Sequence, residues 1–517
     1  MLPGLRRFLL AALLPLVLLG CPEGGEVDPG PDAGRADAGA STRDGGAADA
    51  GSHDLPDGSQ QPEDWCAKVG PSRAALDNYA AVLQCLRGAD AEGVRRAAVD
   101  RFVAAVENGD GFPIVAPGQV VFVYVASERW DAEDDANDGE DFSPARRAAP
   151  LRVAGDFSDW SADAATLESE GLDFHHLSLN LTVGADRWRY KFLARDAAGA
   201  EVWFSDPLSR RHDYDPNGRI SIVRGGAAQG HLEWIRGAHA TLLNNDRTIY
   251  LYVPPGYDGA PQERYPVLYL HDGNNAFDVA QPWSAPNSWE ADQVAETEIG
   301  AGRARPFLLV AVPNNADRMD EYTHCEDRLG GEVTGGSGDG YADFLVNDLK
   351  PLVDGRYRTR PGREDTALLG SSLGGLVSYY VGLRHPEVFR YVGGMSSTFT
   401  WGTFGLSNPT VIDLYREVAD LPGRAQVYYL DSGGEPPPGG VCLHDGNDDD
   451  SDNFCATIEM KRLLEAQGIS TYPLDGDAEV YAPEDIDIMH WWAPGHGHHE
   501  AAWNERLHRP VRLFFRP

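Results

Sequence analysis

Short, unbroken apolar runs alternate with longer mixed segments through the second half of the chain. Val267-Leu268-Tyr269-Leu270-His271, Phe307 to Val312, Thr366 to Leu369, Tyr391 to Met395 and Val427 to Leu430 lack the apolar/polar alternation of a half-exposed strand, and the segments between them are long enough to hold helices. That rhythm predicts a mostly parallel sheet with helices on both faces, over residues 226–517. Upstream the periodicity changes twice. Leu76, Tyr79, Ala80, Leu83 and Leu86 recur at spacings of three and four and are continued by Val94, Ala98, Phe102 and Val106, which predicts helices within 65–110. Beyond Gly109-Asp110-Gly111, Val120 to Val125, Leu151 to Ala154, His176 to Leu181, Trp188 to Leu193 and Ile220 to Val223 are short runs with turn residues between them. They predict a small β-sandwich over 111–225.

A length of 517 residues agrees with more than one domain. The charge balance, 44 Lys plus Arg against 80 Asp plus Glu, or −36, repels phosphate backbones and argues against a nucleic-acid partner. At the N-terminus, Arg6 and Arg7 precede the apolar run Phe8 to Leu19, which is short for a membrane span and suits a signal peptide over 1–20. Its end, Leu18-Leu19-Gly20-Cys21, resembles the lipobox of bacterial lipoproteins. The resemblance implies lipidation at Cys21 and an exported protein anchored to the bacterial membrane, at the outer membrane or periplasmic face. Residues 21–64 are Gly, Ala, Asp and Pro with two arginines against eleven acids, a composition expected of an extended, disordered tether.

Export implies an oxidising setting for the remaining cysteines. Cys66 and Cys85 flank a helical segment and Cys442 and Cys455 close an acidic loop, so these two pairings are the simplest; Cys325 is left over, and spacing alone does not fix connectivity.

The chemistry concentrates at Gly370-Ser371-Ser372-Leu373-Gly374, between a strand-like run and a helix-like run ending near Arg384. Two glycines around a serine in that setting fit a nucleophile elbow, in which the serine hydroxyl stands exposed at a helix N-terminus. Ser372 is the candidate nucleophile, and it needs a base, an acid that orients the base, and amide donors for the oxyanion. With the order serine, acid, histidine, both partners lie downstream. Ala493-Pro494-Gly495-His496-Gly497-His498-His499-Glu500 offers three histidines without the i, i+4 spacing of a helical zinc site, and a glycine-rich loop carrying one catalytic histidine explains it better than a metal. Asp445 to Asp452 alternates oxygen ligands but lacks an EF-hand frame, and reads as a solvated acidic loop rather than a calcium site.

Two resemblances add to this. Gly155-Asp156-Phe157-Ser158-Asp159-Trp160, with Trp188 to Phe192 and Ser205-Asp206-Pro207-Leu208, resembles the early-set immunoglobulin-like modules attached to carbohydrate-active enzymes and esterases. Trp160 is read there as a core or interface residue rather than a glycan ligand. Tyr265 to the C-terminus resembles the esterase family of α/β hydrolases that includes enterochelin esterases, feruloyl esterases and mycolyltransferases. The matching residues are Pro313-Asn314-Asn315 with Arg318, Glu321 and Tyr322, then Tyr357-Arg358-Thr359, the elbow, and a histidine five residues before a tryptophan. His498 and Trp503 meet that last spacing; His496 and His499 do not.

The resemblance implies an α/β-hydrolase fold behind a β-sandwich. It also implies a cofactor-free serine esterase working through an acyl-enzyme, with an oxyanion hole from the amide of Leu373 and one near Gly273 or Asn274. The acid is where the sequence departs from the family. Glu435 matches by distance from the strand, Asp452 by distance to the next helix, and the reading favours Asp452, with Asp431 third. The substrate would be a small-molecule or glycan-linked ester. Acyl transfer to a sugar or lipid acceptor, and a non-catalytic glycan-binding surface protein, are the competing functions.

Overall fold

A computed structural model describes residues 63–125, 150–161, 165–184, 187–195, 199–215, 218–277, 288–437, 442, 452–471 and 487–517. The expected leader, Cys21, nearly all of the 21–64 tether and the acidic loop through Ser451 lie outside these residues.

Eight strands carry the C-terminal part: β1 (His231–Ala240), β2 (Asn245–Val253), β3 (Val267–His271), β4 (Leu308–Val312), β5 (Thr366–Ser371), β6 (Tyr391–Met395), β7 (Val427–Ser432) and β8 (Ile488–Trp492). Their spatial order is 1-2-4-3-5-6-7-8, with β1 and β2 antiparallel to their neighbours and β3 to β8 parallel. This is the α/β-hydrolase arrangement. Alternate residues of one strand serve opposite cores: Val267 and Tyr269 join the cluster that holds Leu376, Val377 and Leu464, while Leu268 and Leu270 join the cluster that holds Ala295, Leu507 and Phe514. Both faces are therefore dry, which is why the sequence shows unbroken apolar runs here. Each Leu or Val so buried contributes about 1.5–3 kcal/mol.

The N-terminal part is three layers. Helices Ala75–Arg87 and Glu92–Glu107 pack through Val82, Leu86, Phe102 and Val106 onto Val121, Val123 and Val125 of strand Gln119–Val125. The other face of that strand, Val120, Phe122 and Tyr124, meets Val153, Tyr190, Phe192 and Phe204 from a second sheet, completing a β-sandwich. Trp160 is half-buried; its indole N–H donates to Asp156 at 2.9 Å and its ring lies 6.3 Å from that of Trp203. Cys66 is bonded to Cys85 and Cys442 to Cys455, and Cys325 is free.

Sandwich and hydrolase are joined edge to edge. Strand Arg211–Asp215 pairs with β1 through Leu232↔His212 and Glu233↔Arg211, so one sheet runs through both parts. At the join the buried Glu233 carboxylate lies 2.8 Å from Arg210 and 3.4 Å from Arg211, and accepts the Tyr357 hydroxyl at 2.8 Å. Burial opposes its charge, but the arginines and His231 outweigh burial and hold it ionised well below the ordinary carboxylate range.

Candidate active site

Strand β5 delivers the chain to helix Leu373–Arg384 through a single residue, Ser372, at φ 55° and ψ −122°. That conformation costs an L-residue about 1–3 kcal/mol, so the surroundings must enforce it. Its amide donates to Met395 O at 3.0 Å, and its carbonyl accepts from Leu376 and Thr398, both at 3.1 Å. The two outer glycines have a steric reason: a Cβ on Gly370 would collide with the backbone of Gly374, and one on Gly374 would sit 3.0 Å from Asp272 Oδ2 and 3.2 Å from His271 Cβ. The same geometry puts the first turn of the elbow helix against the end of β3. Ser372 is half-buried, and its hydroxyl pairs with Thr398 Oγ1 at 3.4 Å.

The loop after β6 touches Ser372 through Thr398, and through Ser396 it reaches the loops after β7 and β8. His498 Nδ1 lies 2.8 Å from Asp452 Oδ1. The His498 side chain is 38% exposed and that of Asp452 1%, which leaves the ring open to a substrate while its partner is out of water. Asp452 Oδ2 accepts from Ser396 Oγ at 2.7 Å and from the amide of Gly433. The Trp503 ring stands edge-on to His498 with centroids 5.1 Å apart, a physical content for the five-residue spacing.

The other candidates separate from this pair. Glu435 is exposed, and Asp452 rather than Glu435 is the carboxylate on His498. Asp431 is buried, accepts the Tyr429 hydroxyl at 2.8 Å and faces Arg506 at 3.3 Å; burial raises its pKa against the pull of those two partners. The three histidines diverge: His496 faces Glu505 at 3.4 Å, His499 caps helix Glu500–Phe514 through Ala502 N, and His498 takes Asp452.

On the opposite side of the elbow the turn after β3 is braced. Asp272, at φ 57°, accepts from Arg318 at 2.6 and 2.8 Å and from Asn314 Nδ2 at 2.6 Å, and its amide donates to the Tyr322 hydroxyl at 3.0 Å. Burial works against the Arg318 charge, and the Asp272 carboxylate more than compensates, so the guanidinium stays firmly protonated. The Asn274 side chain exchanges two hydrogen bonds with the Asn314 backbone, at 2.7 and 3.2 Å. Gly273 passes so close to β4 that a Cβ would lie 2.5 Å from the Ala311 carbonyl carbon. Gly273 and Asn274 are thus locked in place alongside the elbow that carries Leu373. Glu321 grips Arg247 in a buried pair behind them.

A family model described as "Putative esterase" matches residues 240–513, more than half of the chain. The chain belongs to this esterase family. Among curated relatives, this family member is 28% identical over 153 residues to an endo-1,4-beta-xylanase/feruloyl esterase of Xylanibacter ruminicola, a match covering 29% of this chain and 19% of that protein. It is 27% identical over 168 residues to the ferri-bacillibactin esterase BesA of Bacillus subtilis, covering 30% of this chain and 55% of that protein. The matches therefore span less than two thirds of either relative. Among solved structures it is similar to a ferulic acid esterase at 17% identity and a TM-score of 0.40, covering 56% of this chain and 99% of that one. It is also similar to the enterobactin esterase FES from Shigella flexneri at 16% identity and a TM-score of 0.39, covering 77% and 92%.

Sequence reasoning missed several residues that shape this family member's site. Ser396 and Arg506 sit against Asp452, at 2.7 and 3.6 Å. Asp327, fully buried, accepts five backbone amides, from Arg328, Gly402, Phe404, Gly405 and Leu406, and so pins the loop whose Thr398 touches Ser372. Burial opposes its ionisation and the amides more than offset this, leaving its pKa lowered. One usable signal was Ser396-Ser397-Thr398, a polar run directly after an apolar strand. Backbone strain also collects here: Asp272, Ser372, Ser396, Asp452 and Asn453 all have φ between 49° and 59° without being glycine.

Proposed function

We propose that this protein is a serine esterase that hydrolyses carboxylic esters through an acyl-enzyme, with Ser372 as nucleophile, His498 as base and Asp452 as the orienting acid. The observation that carries the reading is the His498–Asp452 hydrogen bond of 2.8 Å, tied to the elbow through the end of β6: Ser372 N donates to Met395 O, and the next residue, Ser396, donates to Asp452. With Nδ1–H donated to Asp452, His498 Nε2 is free to take the Ser372 proton as Oγ bonds to the ester carbonyl carbon. The oxyanion forms between the amides of Leu373 and of Gly273 or Asn274. Collapse breaks the ester C–O bond, and the leaving alkoxide takes the proton from His498. A water then gives its proton to His498, attacks the acyl carbon and releases the acid, with Ser372 recovering the proton. No cofactor enters these steps.

In the resting enzyme the Ser372 hydroxyl leans on Thr398, and substrate entry turns it to His498; such bonds commonly tighten only in the Michaelis complex. The names of the curated relatives support aryl esters of the feruloyl kind and siderophore esters as first substrates to assay. Export and anchoring through lipidated Cys21 complete the reading: Cys21→Ser should move the protein from the membrane to the soluble fraction, and an unchanged distribution contradicts the anchor. For the chemistry, Ser372→Ala should abolish turnover of p-nitrophenyl esters; retained turnover contradicts it.

A further inference from the structure

We propose that Ser396 is a positioning residue whose single proton locks the plane of the Asp452 carboxylate, with Trp503 and Arg506 dictating where that proton points. The inference rests on the reading of Asp452 and His498 as acid and base. Ser396 Oγ receives the Trp503 indole N–H at 3.1 Å and an Arg506 Nη2 N–H at 2.9 Å. A hydroxyl has two acceptor positions and one proton, so both acceptor positions are filled and the proton has one remaining direction, Asp452 Oδ2 at 2.7 Å. Oδ2 is then held by Ser396 and the Gly433 amide, and only Oδ1 is left for His498. Trp503 and Arg506 lie on successive turns of the same buried helix face, so helix Glu500–Phe514 sets the acid as well as ending the histidine loop.

The backbone supplies an independent sign. Ser396 is held at φ 49°, where glycine would be unstrained, and Asn453 Nδ2 clamps its carbonyl at 2.7 Å. A strained non-glycine residue beside the site is explained when its side chain is needed there.

The strained φ also provides a clean variant, because Ser396→Gly removes the hydroxyl and relaxes the backbone. In the full chain assayed on p-nitrophenyl acetate, Ser396→Gly should lower kcat roughly 10- to 100-fold, the worth of one hydrogen bond to a charged group, with KM within about twofold. Ser396→Ala, which keeps the strain, should show the same loss and serves if the glycine variant folds poorly. Asp452→Ala should lower kcat further, and adding Ser396→Gly to it should cost nothing more, because a positioning residue acts only through the group it positions. Wild-type kcat in both Ser396 variants, or a loss that adds fully on top of Asp452→Ala, overturns the proposal while leaving the acid in place. An active Asp452→Ala enzyme overturns the acid assignment first and this inference with it.

Discussion

Replacing Asp452 by asparagine turns one carboxylate oxygen into an NH2 group, and the structure dictates which one. The Oδ2 position faces the Gly433 amide and the Ser396 hydroxyl, whose proton is forced toward it by Trp503 and Arg506. Two donors meet there, so the asparagine carbonyl must occupy that side and its NH2 must face His498 Nδ1. An Nδ1 that accepts has lost its proton to Nε2, the atom that has to receive the Ser372 proton. The imidazole is thus held in the wrong tautomer, and losing the carboxylate also removes the charge that stabilises the imidazolium. Where a triad carboxylate becomes an amide the loss in kcat is about 10⁴-fold, roughly 5 kcal/mol of transition-state stabilisation. Folding should hardly notice. Arg506 lies 3.3 Å from Asp431 and 3.6 Å from Asp452, so after the substitution one buried cation still faces one buried carboxylate. Steady-state hydrolysis of p-nitrophenyl acetate, beside a thermal melt of each protein, separates the two quantities. A folded Asp452→Asn enzyme with kcat within tenfold of wild type would mean that Asp452 does not set the His498 tautomer.

Glu435→Gln should leave kcat/KM within about twofold on the same substrate, because Glu435 lies on the surface rather than on His498. Arg318→Ala removes the partner of the mostly buried Asp272 carboxylate; unfolding in urea should show a loss of about 3 kcal/mol, and kcat should fall as the turn carrying Gly273 and Asn274 loosens. Acid should weaken the fold through His271, whose pKa burial lowers to about 4 from an ordinary 6.5. Above pH 6.5 the ring is neutral in both states and the stability is complete. Between pH 6.5 and 4 only the unfolded chain takes up the proton, so about 3 kcal/mol is lost as pH falls through that window. Urea titrations at several pH values should show a shallower decline for His271→Gln, and an identical decline contradicts it.

What could be read from the sequence was set locally. The elbow depends on a collision between two residues four apart, Gly370 and Gly374, so its motif survives as a pattern. Strands β3 to β7 show as apolar runs because both faces are buried. Strands β1 and β2 were not read, since Glu233, Arg236, His239 and Arg247 interrupt them, and β8, with His490 at its centre, was missed for the same reason. Nor could spacing reveal that the sandwich continues the hydrolase sheet, because the join is two residue pairs around the buried Glu233. Distance along the chain tips the choice only slightly from Glu435 to Asp452, and the two separate fully once the 431–435 loop, the 452–453 turn and the histidine loop are folded together. Gly433 is the point of closure: a Cβ there would lie 2.6 Å from Asp452 Oδ2 and 2.9 Å from Arg506 Nη1. Ser396 and Arg506 carry no motif of their own, as their role is defined by three long-range hydrogen bonds.

The whole mechanism stands on Ser372 as its nucleophile. Labelling the full chain with a fluorophosphonate probe, digesting with trypsin and sequencing the adduct by mass spectrometry locates the reacting residue. One adduct is expected, in the peptide from Glu364 to Arg384, with the added mass on Ser372 and not on Ser371 or Ser378, and none in Ser372→Ala. An adduct on another residue, or an active esterase that takes no label, would contradict it.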